Sequence, residues 1–286
     1  VNRRDFNRLC AKTAILGLAG TAGVIVKSHA KEVRLTENID VYRPVFPLKE
    51  GESKKRISFL IFDGVTSQDF IGPATVLSRS LFDVQFVASD LNPVFDDNGL
   101  GLVPTSTFSE IKDTDILCVP GTANPYVQIQ KKEMIEWVEY IGNRARWVTS
   151  VCTGSFILGA AGLLRGYKAS AHWTMIDDLS YFGAIPTHER VVKDRNRITG
   201  GGVTSGIDFG LTLLAILKGE NVARSIQLAM EYDPQPPFKS GSPKVVTSEY
   251  AQAERARFHS WLEKVTPERL TILESAAKRL NVNIRS

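Results

Sequence analysis

The sequence predicts an α/β domain built on a mostly parallel β-sheet with helices on both faces. Three observations predict it. The 286 residues are 43% hydrophobic and 23% charged, enough apolar material for a sizeable core. Short apolar, β-branched runs of strand length alternate with helical stretches along the chain, the pattern of successive βαβ units. Several of these runs stop at turn or helix-start motifs, namely 63–69, 120–124 and 152–153. In open α/β sheets ligands bind beyond the carboxyl ends of the strands, so these three motifs mark the expected site.

In chain order, residues 1–30 read as an export leader. Arg3-Arg4-Asp5-Phe6 precedes a short Gly/Ala-rich apolar run and Ser28-His29-Ala30. That is the layout of a basic n-region, an h-region and a small-x-small cleavage site, with cutting expected after Ala30. The paired arginines resemble a bacterial twin-arginine signal, which implies a periplasmic protein with no stable membrane association after cleavage. An uncleaved amphipathic anchor is the other reading. Residues 31–55, polar and broken by Pro44 and Pro47, read as an extended arm or linker. The formal net charge is +4. Setting aside the five basic residues and one acid of 1–30 leaves 30 of each sign, so there is no electrostatic case for nucleic acid.

The domain itself is expected over 56–243. Strands are expected at 56–62, 84–88, 100–104 and 116–119, and a helix at 69–81 with Gly72-Pro73 near its first turn, where proline is tolerated. A further helix at 132–141 leads to a strand at 147–151 and a helix at 154–164 ended by Gly166. Then follow a helix at 175–181, a β-pair at 190–193 and 197–199, the triple glycine 200–202, and helices at 203–217 and 221–230. A Pro-rich strap from Asp233 leads to a helical tail, 244–286, too short for an independent core.

The chemistry centres on Cys152. It stands where a buried strand turns into a helix, flanked by Thr153, Gly154 and Ser155. Such a turn presents the side chain to unpaired N–H groups and the positive end of a helix dipole. A thiol there is expected to be uncovered and easier to deprotonate, and the thiolate is the nucleophile. This is the thiol counterpart of the nucleophile elbow; the alternative is a buried structural cysteine. Cys118, inside a buried strand, is expected to stay unpaired, because bridging to Cys152 needs a particular Cα geometry. Asp69 is a helix N-cap or a site acid, and the two roles are compatible. His188-Glu189 has no further ligand at metal spacing, so no metal site is read. The triple glycine lacks the spacing of a phosphate loop and reads as a tight turn. Asp208 has no visible partner.

The stretches DFIGPATVL (69–77), DILCVPG (115–121), TSVCTGSFILGAAGLLRG (149–166), AHW (171–173), GGGVTSGIDFGL (200–211) and EYDPQPPFKSGSP (231–243) together resemble the DJ-1/PfpI superfamily. Within it they are most similar to the isonitrile hydratase branch. Regulators of the AraC type carry a similar module, but the tail here is too short for their paired helix-turn-helix motifs. The resemblance implies a flavodoxin-like, DJ-1-like sandwich, a homodimer, no cofactor and a small-molecule substrate. It places the nucleophile on Cys152, its acid on Asp69 and the following residue on Thr153. Thr153 stands where peptidase-like relatives have His, and Asp69 where deglycase-like relatives have Glu. With Gly72-Pro73, these features favour hydration of an isonitrile to an N-substituted formamide through a Cys152 thioimidate. Backbone N–H groups at the elbow and near Gly121 are expected to stabilise developing charge. Thr153 either contacts ligand or satisfies local backbone, and His172 is either a base or a packed histidine. Gly121, Gly72 and His172 are the expected substrate-binding residues. A redox or ligand-sensing module and a glyoxalase- or deglycase-like enzyme stay open as alternatives.

Overall fold

The computed structural model describes residues 53–77 and 81–284. The leader expected over 1–30, and the arm expected over 31–55 apart from its last three residues, lie outside the described residues. Strand β1 (Lys55–Leu60) leads into α1 (Gln68–Val76) and β2 (Phe82–Ala88). Three two-residue strands follow: β3 (Val94–Phe95), β4 (Gly101–Leu102) and β5 (Ser106–Thr107). Next come β6 (Ile116–Val119), α2 (Pro125–Gln128), α3 (Lys132–Gly142), β7 (Trp147–Val151) and α4 (Gly154–Ala160). Strand β8 (Lys168–Ala169), a 3-10 helix (Ile176–Phe182) and β9 (Ile185–Pro186) precede the pair β10 (Val191–Asp194) and β11 (Arg197–Gly200). The chain closes with α5 (Ser205–Lys218), α6 (Glu220–Ala229), α7 (Ser248–Val265) and α8 (Arg269–Arg279).

Seven strands form the main sheet in the order β10-β11-β7-β6-β1-β2-β5. All neighbours run parallel except β10, which pairs antiparallel with β11. Every residue of β6 is buried, as are the last four of β1 and of β7. Successive strand residues face opposite sides, so such runs require cover on both faces. The expected α/β class, with a mostly parallel sheet and helices around it, is what the chain adopts.

Two helices end sooner than their periodicity suggests. The helix expected over 69–81 runs through Pro73 and stops at Val76: the Leu77 N–H still donates to Pro73 O at 2.8 Å, but Leu77 leaves helical geometry at ψ 55°. The helix expected to run to Leu164 stops at Ala160. Gly162, at φ +74°, takes the left-handed position; its N–H donates to Gly159 O at 2.8 Å and that of Leu163 to Leu158 O at 3.0 Å. This is a Schellman closure, so Gly162 and not Gly166 is the stop. The strand expected over 100–104 shrinks to β4, paired only with β3. The segment expected as a helix at 175–181 is 3-10. Asp208 is not alone: Arg190 Nε donates to its Oδ2 at 2.7 Å and Tyr232 Oη at 3.0 Å.

The tail packs onto the domain. Leu262, Leu273 and Ala277 are buried in it. Arg279 Nη2 donates to Ala160 O at 2.7 Å, and His259 Nε2 lies 2.8 Å from Thr174 O.

Candidate active site

Strand β7 delivers the chain to Cys152, whose φ is +58°, and α4 begins two residues later. A non-glycine residue in this region costs about 1–3 kcal/mol, so its surroundings must hold it there. The Cys152 N–H donates to Gly201 O at 2.7 Å and to Gly200 O at 3.1 Å. The end of strand β11 and the residue just past it supply these carbonyls, because Val151 pairs with Gly200 in register. The turn also needs Gly154, where a Cβ would collide with the carbonyl oxygens of Val119 and Pro120.

Asp69, in the first turn of α1, is only 1% exposed. Its Oδ2 accepts the Gly121 N–H at 2.9 Å, while Oδ1 is buried without a hydrogen-bond partner. Ser67 occupies the N-cap position of α1, so Asp69 is not the cap. At Gly121 a Cβ would sit 2.6 Å from Thr153 N and Oγ1 and 2.9 Å from Asp69 Oδ2. Glycine there lets the carboxyl and the elbow converge. Thr153 Oγ1 donates to Thr122 O at 2.6 Å and accepts from Thr122 N at 2.8 Å. Its hydroxyl therefore splices the β6 loop to the elbow, the local-backbone role.

Asp69 sits among Phe59, Phe70, Pro73 and Phe209. Burial there pushes its carboxyl up to about 7, with the Gly121 N–H and the Cys152 thiol pulling the other way. The Cys152 sulfhydryl is raised well above its ordinary value, first by burial and then by the Asp69 charge, against hydrogen bonding from Thr153. This differs from the expected uncovered thiol: Cys152 is only 5% exposed, and burial raises its sulfhydryl. The Gly121 N–H is also spent on Asp69 and is not a free donor for developing charge.

Asp69, Gly121, Cys152 and Thr153 thus come together. Gly72 does not join them: on α1 it faces α5, where a Cβ would lie 3.2 Å from Ile207 Cγ1. His172 is engaged elsewhere, its Nδ1 2.7 Å from Thr174 Oγ1, and burial lowers its pKa. It lines a cavity of about 580 Å³ that also touches Trp173, Gly201, Gly202 and Lys244. Cys118 and Cys152 are both free thiols. Among the described residues, no cluster of three or more His, Cys, Asp or Glu could hold a metal ion, and no helix is long and apolar enough to cross a membrane. Sequence reasoning missed Gly201 and Thr122 as supports of the elbow. The triple glycine directly after a strand was the available signal for Gly201; nothing local marked Thr122.

The sequence model of the DJ-1/PfpI family matches residues 55–216. An isonitrile hydratase of Pseudomonas putida is 45% identical over 229 residues, covering 79% of this chain and 98% of that protein. An HTH-type transcriptional regulator of Pseudomonas aeruginosa, CdhR, is 27% identical over 237 residues, covering 79% of this chain and 70% of the regulator. Among solved structures, a THiJ/PfpI family protein from Pseudomonas syringae superposes with a TM-score of 0.70 at 41% identity, covering 79% of this chain and 91% of that one.

Proposed function

Because the chain belongs to the DJ-1/PfpI family, we propose that it is a cysteine-dependent enzyme of the isonitrile hydratase kind, adding water to an isonitrile to give an N-substituted formamide. The observation that carries this reading is the pairing of a buried thiol with a buried carboxyl whose second oxygen, Oδ1, has no partner. An isonitrile carbon is weakly basic and becomes strongly electrophilic once protonated. The site therefore has to move one proton and one electron pair at the same atom.

At rest the thiol holds its proton, since both burial and the neighbouring carboxylate oppose its loss. Asp69 takes that proton on Oδ1 and passes it to the isonitrile carbon, while the sulfur of Cys152 attacks the same carbon. The product is a thioimidate, R–N=CH–S–Cys152, with Asp69 again ionised. Water then adds across the C=N bond, giving R–NH–CH(OH)–S–Cys152. Cleavage of the C–S bond returns the proton to sulfur and releases R–NH–CHO. One water is consumed and no net proton or electron is exchanged. A near-neutral carboxyl suits this shuttle, because proton transfer is most efficient when the group's pKa lies near the working pH.

The test uses benzyl isonitrile with the intact protein. Proton NMR should show N-benzylformamide accumulating over many turnovers, and acid-quenched intact mass should show an adduct of one isonitrile on Cys152. A protein that yields neither formamide nor adduct does not have this activity.

A further inference from the structure

The 580 Å³ cavity lies one residue from the nucleophile: Gly201 lines it and also accepts the Cys152 N–H at 2.7 Å. Its inner walls come from the 170–173 and 201–204 loops of the domain. Its outer walls come from the strap at 241–244 and from Arg255 on α7. The strap is latched across by Lys244 Nζ on Glu189 Oε1 at 3.0 Å. Arg255 Nη2 holds the Trp173 carbonyl at 3.0 Å, and its guanidinium lies 5.5 Å from the centre of the Trp173 ring. Trp173 also borders two smaller cavities, one beside Phe258 and Trp261 and one beside Tyr250. It is the partition of this whole region.

Each cation on the wall already has a carboxylate partner: Arg190 with Asp208 at 2.6 Å, Arg255 with Asp177 at 3.1 Å, and Lys244 with Glu189. His172 is held neutral by burial. The cavity therefore offers no unpaired cation to an anion, and Trp173, Ile176, Val203 and Pro243 form apolar patches between these ion pairs and the polar Ser170 and Ser242. Its volume is that of a small-molecule site. The isonitrile group itself is neutral and has no hydrogen-bond donor, so it gives a site little to hold and recognition falls on the substituent.

We propose that this cavity receives the N-substituent of the isonitrile, and that the strap and α7 close it, with Trp173 as the wall that sets substituent size. This rests on the hydratase reading. It adds that the preferred substituent is neutral, bulky and apolar, and that the C-terminal segment selects it. Val203 and Lys244 then become specificity determinants: Val203→Trp would fill the cavity, and Lys244→Met would cut the latch.

The experiment measures kcat/KM for benzyl and methyl isonitrile in the wild-type protein and both variants. Binding of N-benzylformamide is followed separately by calorimetry. The benzyl-to-methyl ratio should fall at least tenfold in Val203→Trp and severalfold in Lys244→Met, and N-benzylformamide binding should weaken in parallel. Lys244 is exposed on the strap, so its variant still reports if Val203→Trp does not fold. Turnover with an unchanged ratio in the folded variants overturns the pocket assignment. Binding of N-benzylformamide that depends on Val203 and Lys244, without any turnover, upholds the pocket and removes the hydratase reading instead. If the wild-type protein neither turns over benzyl isonitrile nor binds N-benzylformamide, both fall.

Discussion

Cys118 and Cys152 sit on and just beyond neighbouring strands, are 4% and 5% exposed, and both have thiols raised by burial. Their surroundings differ in two ways. Cys118 lies in the regular ladder of β6 opposite Thr149, whose hydroxyl donates to its sulfur at 3.0 Å, and its thiol is pushed up to about 12. Cys152 stands one residue past the end of β7 in the left-handed region, and a carboxyl lies beside it. Burial is common to both, so burial does not make a nucleophile. On the proposed reading, what sets Cys152 apart is a backbone that turns out of the sheet at its position and a carboxyl beside it that can take its proton.

The largest effect tests that contrast directly. Cys152→Ala should cut formamide formation by at least about a thousandfold, as loss of a covalent nucleophile does. Cys118→Ala should keep activity within about twofold and cost about 1 kcal/mol of stability, measured by urea unfolding, for the small void it leaves. Equal losses at the two positions would erase the distinction.

Next in size is a stability effect peculiar to the Asp69 side. Asp69 has an ordinary value of 3.8 and is raised to about 7 in the folded protein. Between those values the folded state binds the proton more tightly than the unfolded state, so stability falls as pH rises through that window and levels off above it. The full loss is up to about 4 kcal/mol. Urea unfolding of the wild type against Asp69→Asn should show the variant gaining steadily from pH 4 to pH 7 and no further gain beyond. A constant difference across that range would mean that Asp69 ionises as freely as a surface carboxylate. Cys118→Ala against wild type should show no change over the same interval.

The third effect sharpens the comparison at the sulfur. Asn at position 69 keeps an acceptor for the Gly121 N–H but cannot carry the proton, so hydration should fall by roughly a hundredfold. Removing the Asp69 charge also removes a cause that raises the Cys152 thiol, second in size after burial. Iodoacetamide should therefore label Cys152 faster in Asp69→Asn than in wild type at pH 8, with Cys118 labelling unchanged, as followed by peptide mass mapping. Slower turnover with faster alkylation separates lost proton delivery from lost nucleophilicity. If both rates fall together, Asp69 acts by holding the elbow and not by moving a proton.

Much of the fold was legible because its signals are local. β6 is a continuous apolar run, β1 and β7 are short segments rich in apolar and β-branched residues, and α3 shows the apolar spacing of a helix. The strand-to-helix turn at Cys152-Thr153-Gly154 was equally plain. The two-residue strands β5, β8 and β9 were not, since two residues carry no period. The ends of α1 and α4 were misplaced for a related reason. Apolar spacing continues past Val76 and Ala160, whereas the non-helical backbone of Leu77 and the left-handed Gly162 end the helices first. Asp208 could not be partnered in advance, because Arg190 and Tyr232 reach it from 18 and 24 residues away.

By itself, then, the amino-acid order determined the α/β class, the elbow and the nomination of Cys152, because strand, turn and helix preferences belong to neighbouring residues; Asp69 was paired with it by the family resemblance. Only the tertiary structure decided the electrostatic state of that pair. Whether a thiol at a helix start is acidified or desolvated depends on what packs against it, here Asp69 from α1, the Gly121 turn after β6 and the glycine carbonyls at the end of β11 and just past it. It also decided that the strap and α7 fold back over the cavity next to the elbow. Contacts between segments tens of residues apart set local dielectric and shape, and neither is encoded in the run of side chains on either segment alone.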